Sequence, residues 1–173
     1  MKRPDSCAAK ETKKRSEVFL KIIVDADAQP AKEAILRAAE KYGIKTVFVM
    51  STSHFSEKNS GADEVIMVDN RKQETDIKIM NISKRGDIAV TQDSGLGLFL
   101  SSKGVTVISQ RGRLLSENDL QVKNNIAAIE KKAMRKKCGK IKVHGPSAFT
   151  EQDSKRLEQT IERVITQSKG AGN

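Results

Sequence analysis

The chain has 173 residues, a formal net charge of +10 and a pI of about 9.7. That length suits one domain with a core large enough to stand without disulfides. Its two cysteines, Cys7 and Cys138, cannot build a disulfide framework or a metal knuckle, so a cytoplasmic setting is expected. No apolar stretch reaches the length of a membrane span, and the charged N-terminus does not read as a secretory signal. The positive excess favours a polyanionic partner, nucleic acid before an anionic membrane, with plain solubility as the alternative. There is no Trp and there are few aromatics, which argues against a base-stacking platform.

Residues 1–17 carry Lys10, Lys13, Lys14 and Arg15 without a helical or strand period, and read as a disordered basic arm. Residues 18–168 read as a single α/β domain. Val18 to Val24 is an apolar, β-branched run that stops abruptly at Asp25 and Asp27. A buried parallel strand with polar chemistry at its carboxyl end has this pattern. Pro30 suits the first turn of a helix. Ala31, Ala34, Ile35, Ala38, Ala39 and Tyr42 then form one apolar face, and Gly43 is a natural stop.

Lys45 to Met50 is a second strand, followed by a polar loop with Ser51, Ser53 and His54. Glu64 to Val68 is a third. A helix with Ile77, Met80 and Ile82 as its apolar set follows, closed by Gly86. Ile88 to Thr91 is a fourth strand, ending at Gln92 and Asp93. The next helix holds Leu96, Leu98, Phe99 and Leu100 and closes at Gly104, and Val105 to Ile108 is a fifth strand. Regular alternation of strand and helix implies right-handed βαβ crossovers. The expected architecture is three-layer α/β/α, with a mainly parallel five-stranded sheet in the order 3-2-1-4-5.

Beyond the fifth strand the pattern changes. Arg111-Gly112-Arg113 is a tight basic turn. Ser116 or Asn118 caps a helix running through Ile126 and Ile129 to about Lys137. Lys131, Lys132, Arg135, Lys136 and Lys137 belong to a run without an acidic residue and, with Arg111 and Arg113, are the candidates for holding a nucleic-acid backbone. His144 falls in a basic loop. Thr150 and Asp153 resemble a capping box, and Leu157, Ile161, Val164 and Ile165 make a last amphipathic helix.

Four aspartates carry the chemistry. Asp25 and Asp27 follow the first strand, Asp93 follows the fourth, and Asp76 opens the helix between the third and fourth. With strands one and four adjacent at the switch point, all four share the rim where open α/β sheets bind ligands. Close carboxylates repel, and a hard divalent cation such as Mg²⁺ or Mn²⁺ resolves the repulsion with oxygen ligands and water. Each also has a plainer reading: Asp76 as a helix-dipole partner, Asp27 as a turn residue before Pro30, Asp25 and Asp93 as turn residues. His54, Thr91 and Ser94 are accessory candidates. Thr91 and Ser94 could orient Asp93 or a water, and Ser94 could equally be an N-cap. Asp87, before the fourth strand, belongs at the opposite rim.

The blocks Asp25-Ala-Asp-Ala-Gln-Pro-Ala-Lys, Ser51-Thr-Ser-His, Thr75-Asp76, Gly86-Asp-Ile-Ala-Val-Thr-Gln-Asp93 and His144-Gly-Pro with Phe149-Thr150 resemble the bacterial YaiI/YqxD family, over residues 19–165. The resemblance implies a PIN-like fold. It makes Asp25, Asp76 and Asp93 similar to the acidic positions of PIN-domain ribonucleases, and so implies a metal-dependent RNase site. It also implies a Cys where this chain has Gln29. A thiol-based function would be lost by that change; a carboxylate–metal mechanism would not.

The leading expectation is therefore a Mg²⁺- or Mn²⁺-dependent hydrolase of RNA phosphodiester bonds, with Asp25, Asp76 and Asp93 as catalytic metal ligands and Asp27 as a fourth metal-site residue, ligating directly or through a water. A nucleic-acid-binding protein with a vestigial acidic site is the second. A regulatory protein binding a small phosphorylated ligand is the third.

Overall fold

The computed structural model describes residues 20–27, 29–54, 61–71, 73–135 and 147–170. The basic arm at 1–17, both cysteines, Lys136, Lys137 and His144 lie outside the described residues, as do the side chains of His54 and Arg135.

Five strands, β1 (Lys21–Asp25), β2 (Lys45–Ser51), β3 (Glu64–Val68), β4 (Ile88–Val90) and β5 (Thr106–Ile108), form one sheet in the order β3-β2-β1-β4-β5. Every pairing is parallel. The helices are α1 (Lys32–Tyr42), α2 (Glu74–Ile82), α3 (Ser94–Ser102), α4 (Glu117–Arg135) and α5 (Glu151–Gly170). The expected strand order and three-layer α/β/α arrangement are both present.

The alternation of side chains along each strand divides the core in two. Ile22, Val24, Phe48, Met50, Ile88 and Val90 face α1 and α5, meeting Ala34, Ile35, Ala38, Leu157, Ile161 and Ile165. Ile23, Val47, Val49, Ala89 and Val107 face the other way, onto Ile79 of α2, Leu96 and Leu100 of α3, and Leu120 of α4. β1 lies at the centre, and Ile22, Ile23 and Val24 are fully buried. Each such side chain contributes about 1.5–3 kcal/mol through burial.

Several boundaries move for local reasons. Pro30 lies before α1 rather than in its first turn, because Ala31 is the N-cap and Lys32 the first helical residue. α2 stops at Ile82, not Gly86: Ser83 turns extended (ψ 137°) and its hydroxyl bonds back to the Ile79 carbonyl at 2.6 Å. Ile79, rather than Ile77, is the buried anchor of α2. Ile77 is 46% exposed, since it stands two residues, roughly 200°, around the axis. α4 is capped by Ser116, whose hydroxyl accepts from the Asp119 N–H at 3.2 Å. Past Leu120 the helix runs off the core, leaving Val122, Ile126 and Ile129 exposed. The capping box of α5 is present: the Asp153 N–H donates to Thr150 Oγ1 at 3.2 Å, and the Thr150 N–H donates to Asp153 Oδ2 at 3.1 Å.

At the opposite rim from Asp25, Asp87 is almost fully buried and fully served. It accepts from the Lys84 N–H at 2.8 Å and the Lys21 N–H at 3.3 Å, and pairs with Lys21 Nζ at 3.4 Å. It clasps the start of β1 to the α2–β4 connection.

Two left-handed glycines separate strain from sterics. Gly43, the C-cap of α1, has φ 64° and open space where a Cβ would stand. Gly112 has φ 74°, but its Cβ would fall 2.4 Å from the Leu157 backbone nitrogen. Gly43→Ala should cost about 1 kcal/mol, the backbone term alone. Gly112→Ala should cost more, about 2 kcal/mol or above, because α5 must shift as well. Thermal melts of the two variants check this; equal losses would show that the seat of Gly112 on α5 is loose.

Candidate functional site

β1 and β2 pair in parallel with Asp25 opposite Val49, and the Ala26 N–H extends the ladder by donating to the Val49 carbonyl at 2.9 Å. This brings Asp27 level with the end of β2. Its Oδ1 accepts from the Ser51 N–H at 2.8 Å and from Ser51 Oγ at 3.3 Å, while its Oδ2 accepts from Thr75 Oγ1 at 3.4 Å. Asp27 thus ties together the ends of β1 and β2 and the start of α2.

Thr91, just after β4, bridges the other two strand-end carboxylates. Its buried hydroxyl donates to Asp25 Oδ2 at 3.2 Å and accepts from the Asp93 N–H at 3.1 Å. A hydroxyl can donate once and accept at the same time, so one side chain orients Asp25 and fixes the backbone of Asp93. Asp93 is the N-cap of α3: its Oδ1 accepts from the Leu96 N–H at 2.7 Å. Ser94 is therefore the first helical residue and not the cap. Asp76 is in the first turn of α2, half-buried.

Asp25, Asp27, Asp76 and Asp93 line one open cleft of about 480 Å³, together with Ser51, Asn70, Arg71, Gln73 and Thr75. Burial pushes Asp25 up from 3.8 to about 6; the Thr91 hydrogen bond opposes this, and the charges of Asp27 and Asp76 add to it. Asp76 is raised too, first by burial, then by Asp93 and Asp27. Asp25 and Asp76 therefore feel the charges of neighbouring carboxylates in the cleft. None of the ion pairs formed among the described residues involves Asp25, Asp76 or Asp93; those pairs lie elsewhere, as in Arg37–Glu158 and Lys45–Glu64. Lys32, at the start of α1, is lowered by burial and held up by the Asp27 charge.

The donor set is all oxygen and anionic, which suits a hard divalent cation. Among the described residues, however, no three Asp, Glu, His or Cys side chains stand close enough to ligate one ion directly. Mg²⁺ retains several waters and is commonly held by one or two carboxylates. A hydrated cation, reached partly through water, fits this spacing; a bare ion in a tight carboxylate cage does not.

The remaining sequence candidates are dispersed. His54 closes a short 3₁₀ turn, Thr52–His54, directly after β2. The Arg111 guanidinium bonds Asp153 at 2.8 Å and also the Ser147 carbonyl, so it holds the start of α5 in place. Arg113 pairs with Asp119 at 2.7 Å. Lys131 and Lys132 are exposed on α4. Gln29 is buried, and its amide nitrogen meets no acceptor among the described residues.

Ser51, Thr75, Asn70, Arg71 and Gln73 were not singled out as site residues from the sequence. Ser51 and Thr75 were within reach: both sit at βα junctions on the correct rim. Gln73 was not. It is the sole non-glycine residue among those described with positive φ, 70°, a conformation for which Gln carries no local signal.

Comparison with known proteins follows the same residues. The profile of the uncharacterized BCR, YaiI/YqxD family matches residues 23–167. The chain belongs to the YaiI/YqxD family. Among its relatives, UPF0178 protein lwe1471 of Listeria welshimeri is 38% identical over 145 residues, covering 84% of this chain and 95% of the relative. UPF0178 protein BH1374 of Halalkalibacterium halodurans is 32% identical over 155 residues, covering 90% and 96%. A solved biotin carboxylase domain of a thermophilic 2-oxoglutarate carboxylase aligns with TM-score 0.45 and 16% identity over 82% of this YaiI/YqxD chain and 33% of that one. A likeness at that level has no bearing on the site. Among the described residues no helix is long and apolar enough to cross a membrane.

The raised Asp25 has a thermodynamic sign. The folded state holds this proton more tightly than the unfolded chain, so the associated stability is present below the ordinary pKa of 3.8. It is lost as pH rises through about 6. The full loss is at most about 3 kcal/mol. Asp25→Asn removes the titration, so in metal-free buffer its melting temperature relative to wild type should climb between pH 4 and pH 6.5 and then level off. A difference that stays flat with pH would show that neither burial nor the neighbouring carboxylates raise Asp25.

Proposed function

We propose that this chain is a divalent-metal-dependent nuclease that hydrolyses RNA phosphodiester bonds in the cytoplasm. One observation carries the reading: Asp25, Asp76 and Asp93, drawn from three different βα junctions, line a single cleft without a Lys or Arg ion partner among the described residues. A protein does not gain stability by gathering like charges this way. The arrangement is therefore best explained by a ligand that carries the opposite charge.

Asp25, Asp76 and Asp93 would hold the cation, Mg²⁺ or Mn²⁺, with Asp27 adding negative charge from its hydrogen-bonded seat on Ser51 and Thr75. When bound, such a cation polarises phosphoryl oxygens and lowers the pKa of a coordinated water. The chain's own groups supply orientation. Thr91 donates to Asp25 and fixes its carboxylate plane, while the Asp93 cap leaves only one of its oxygens engaged with the helix amide. Burial raises Asp25 to about 6 in the metal-free chain, and a bound cation would relieve that penalty by favouring the carboxylate. The net charge of +10, with Lys131 and Lys132 exposed on α4, supports recruitment of a polyanion.

The wide carboxylate spacing among the described residues favours a second reading, a nucleic-acid-binding protein whose acidic site does not turn over. The two diverge in one experiment. With wild type and an Asp25→Asn, Asp93→Asn variant incubated with a panel of structured RNAs and Mn²⁺, the nuclease reading expects cleavage that falls at least about a hundredfold in the variant. Unchanged cleavage in the variant would end the mechanism. RNA binding by wild type without turnover in Mn²⁺ would leave the second reading.

A further inference from the structure

A second cleft, on the β5 side of the molecule, is built from arginine rather than aspartate. After β5 the chain turns through residues 109–113. The Ser109 N–H donates to the Arg113 carbonyl at 2.8 Å, the Gly112 N–H donates to the Ser109 carbonyl at 2.9 Å, and Leu114 forms an antiparallel bridge back to Ile108. The turn is seated on α5. Thr160 Oγ1 donates to the Gly112 carbonyl at 2.8 Å, and Gly112 lies so near the helix that no Cβ would fit. Between turn and helix is a cleft of about 650 Å³, where Arg113, Arg156, Arg163, Gln159 and Thr160 meet.

The charge on α5 is sorted between its faces. The helix carries four carboxylates, Glu151, Asp153, Glu158 and Glu162, and each is ion-paired: with Lys155, Arg111, Arg37 and Lys41 respectively. Arg156 and Arg163 are exposed and form no ion pair among the described residues. Asp153 lies near enough to sense the Arg156 charge, but its carboxylate is bonded to Arg111 and Thr150. Arg113 shares its charge with Asp119. Among the described residues no carboxylate lines the cleft.

We propose that this cleft binds the phosphodiester backbone of a single-stranded nucleic acid. Residues 156, 159, 160 and 163 follow the i, i+3, i+4, i+7 spacing of one helical face. Arg156 and Arg163 are seven residues apart, about 10.5 Å along the axis. That separation lets each guanidinium meet a different phosphate of an extended strand. The guanidinium fork matches phosphate oxygens, and the exposed Gln159 amide between the arginines adds a neutral donor, while Thr160 holds the turn against the helix. Among the described residues no aromatic side chain lines the cleft, so the expected readout is of backbone, tolerant of sequence and steeply dependent on salt. A hydrogen bond between Gln92 and Gln110 joins the loop that carries Asp93 to this turn, which places the two clefts along connected loops. The binding proposal stands apart from the hydrolase reading, because it requires no cation and no cleavage.

The test uses the full chain in EDTA and a fluorescein-labelled oligouridylate, followed by anisotropy across a salt series. Arg156→Ala with Arg163→Ala should weaken binding about tenfold and make the log–log salt slope shallower by about 1.4, two single-strand phosphate contacts. Arg156→Lys with Arg163→Lys should keep most of that slope. Gln159→Glu, which sets a carboxylate between the arginines, should weaken binding in a chain whose fold is undisturbed. The Asp25→Asn, Asp93→Asn variant, which removes two negative charges, should bind at least as tightly as wild type, so that lost cleavage and lost binding fail separately. Absence of binding by wild type at low salt, equal affinity and slope in the alanine variant, or displacement of the RNA by polyglutamate of matched charge as readily as by unlabelled oligouridylate would each overturn the proposal.

Discussion

The parallel pairing of β1 on both of its edges is the constraint from which the molecule follows. Ile22, Ile23 and Val24 are fully buried because β2 flanks them on one side and β4 on the other, with helices over both faces. A central strand so placed forces the next crossover to run one way, to β2, and the return crossover from β3 to run the other way, to β4. The loops leaving β1 and β4 then diverge, and a crevice opens between them at the carboxyl rim. Asp25, Asp27 and Asp93 stand at its edges because they are the residues that come after the last apolar positions of those strands.

The two rims of β1 treat the same residue type in opposite ways. Asp87 is more buried than Asp25, yet it has an ammonium partner in Lys21 and two backbone amides within hydrogen-bonding distance. Its burial is compensated, and it acts as a clasp. Asp25 has the Thr91 hydroxyl and the Asp27 backbone amide as donors, no cationic partner among the described residues, and two like charges for neighbours. Burial without compensation is what raises a carboxylate's pKa, and it persists in a fold only where the rest of the core is strong enough to carry it. Function, in the reading developed above, sits where compensation is missing.

The arginine cleft obeys the same logic with the sign reversed. α5 spends its carboxylates on α1, on the turn after β5 and on its own next turn, so its inner and outer faces differ in charge as well as in polarity. Gly112 lets the turn lie against the helix, so that exposed Arg156 and Arg163 line one open cleft with Arg113.

The strand–helix alternation, the strand order, the placement of Asp25, Asp27, Asp76 and Asp93 on one rim, the orienting role open to Thr91 and the caps at Ser116 and Thr150 were all legible from the residues. These depend on local periodicity and on the few ways a parallel sheet can be wound. The phase of α2, with Ile79 and not Ile77 inward, was not, because a short helix takes its rotation from the surface it docks on. Nor was the partnership of Asp27 with Ser51 and Thr75, the left-handed Gln73, or the pairing of Arg111 with Asp153. Each depends on contacts between residues far apart in sequence, and no local pattern carries them. The sequence by itself determined which residues reach the carboxyl rim. Only tertiary packing decided which of their charges are neutralised and which are left open, because neutralisation depends on a few ångströms between elements, not on the order in which they occur.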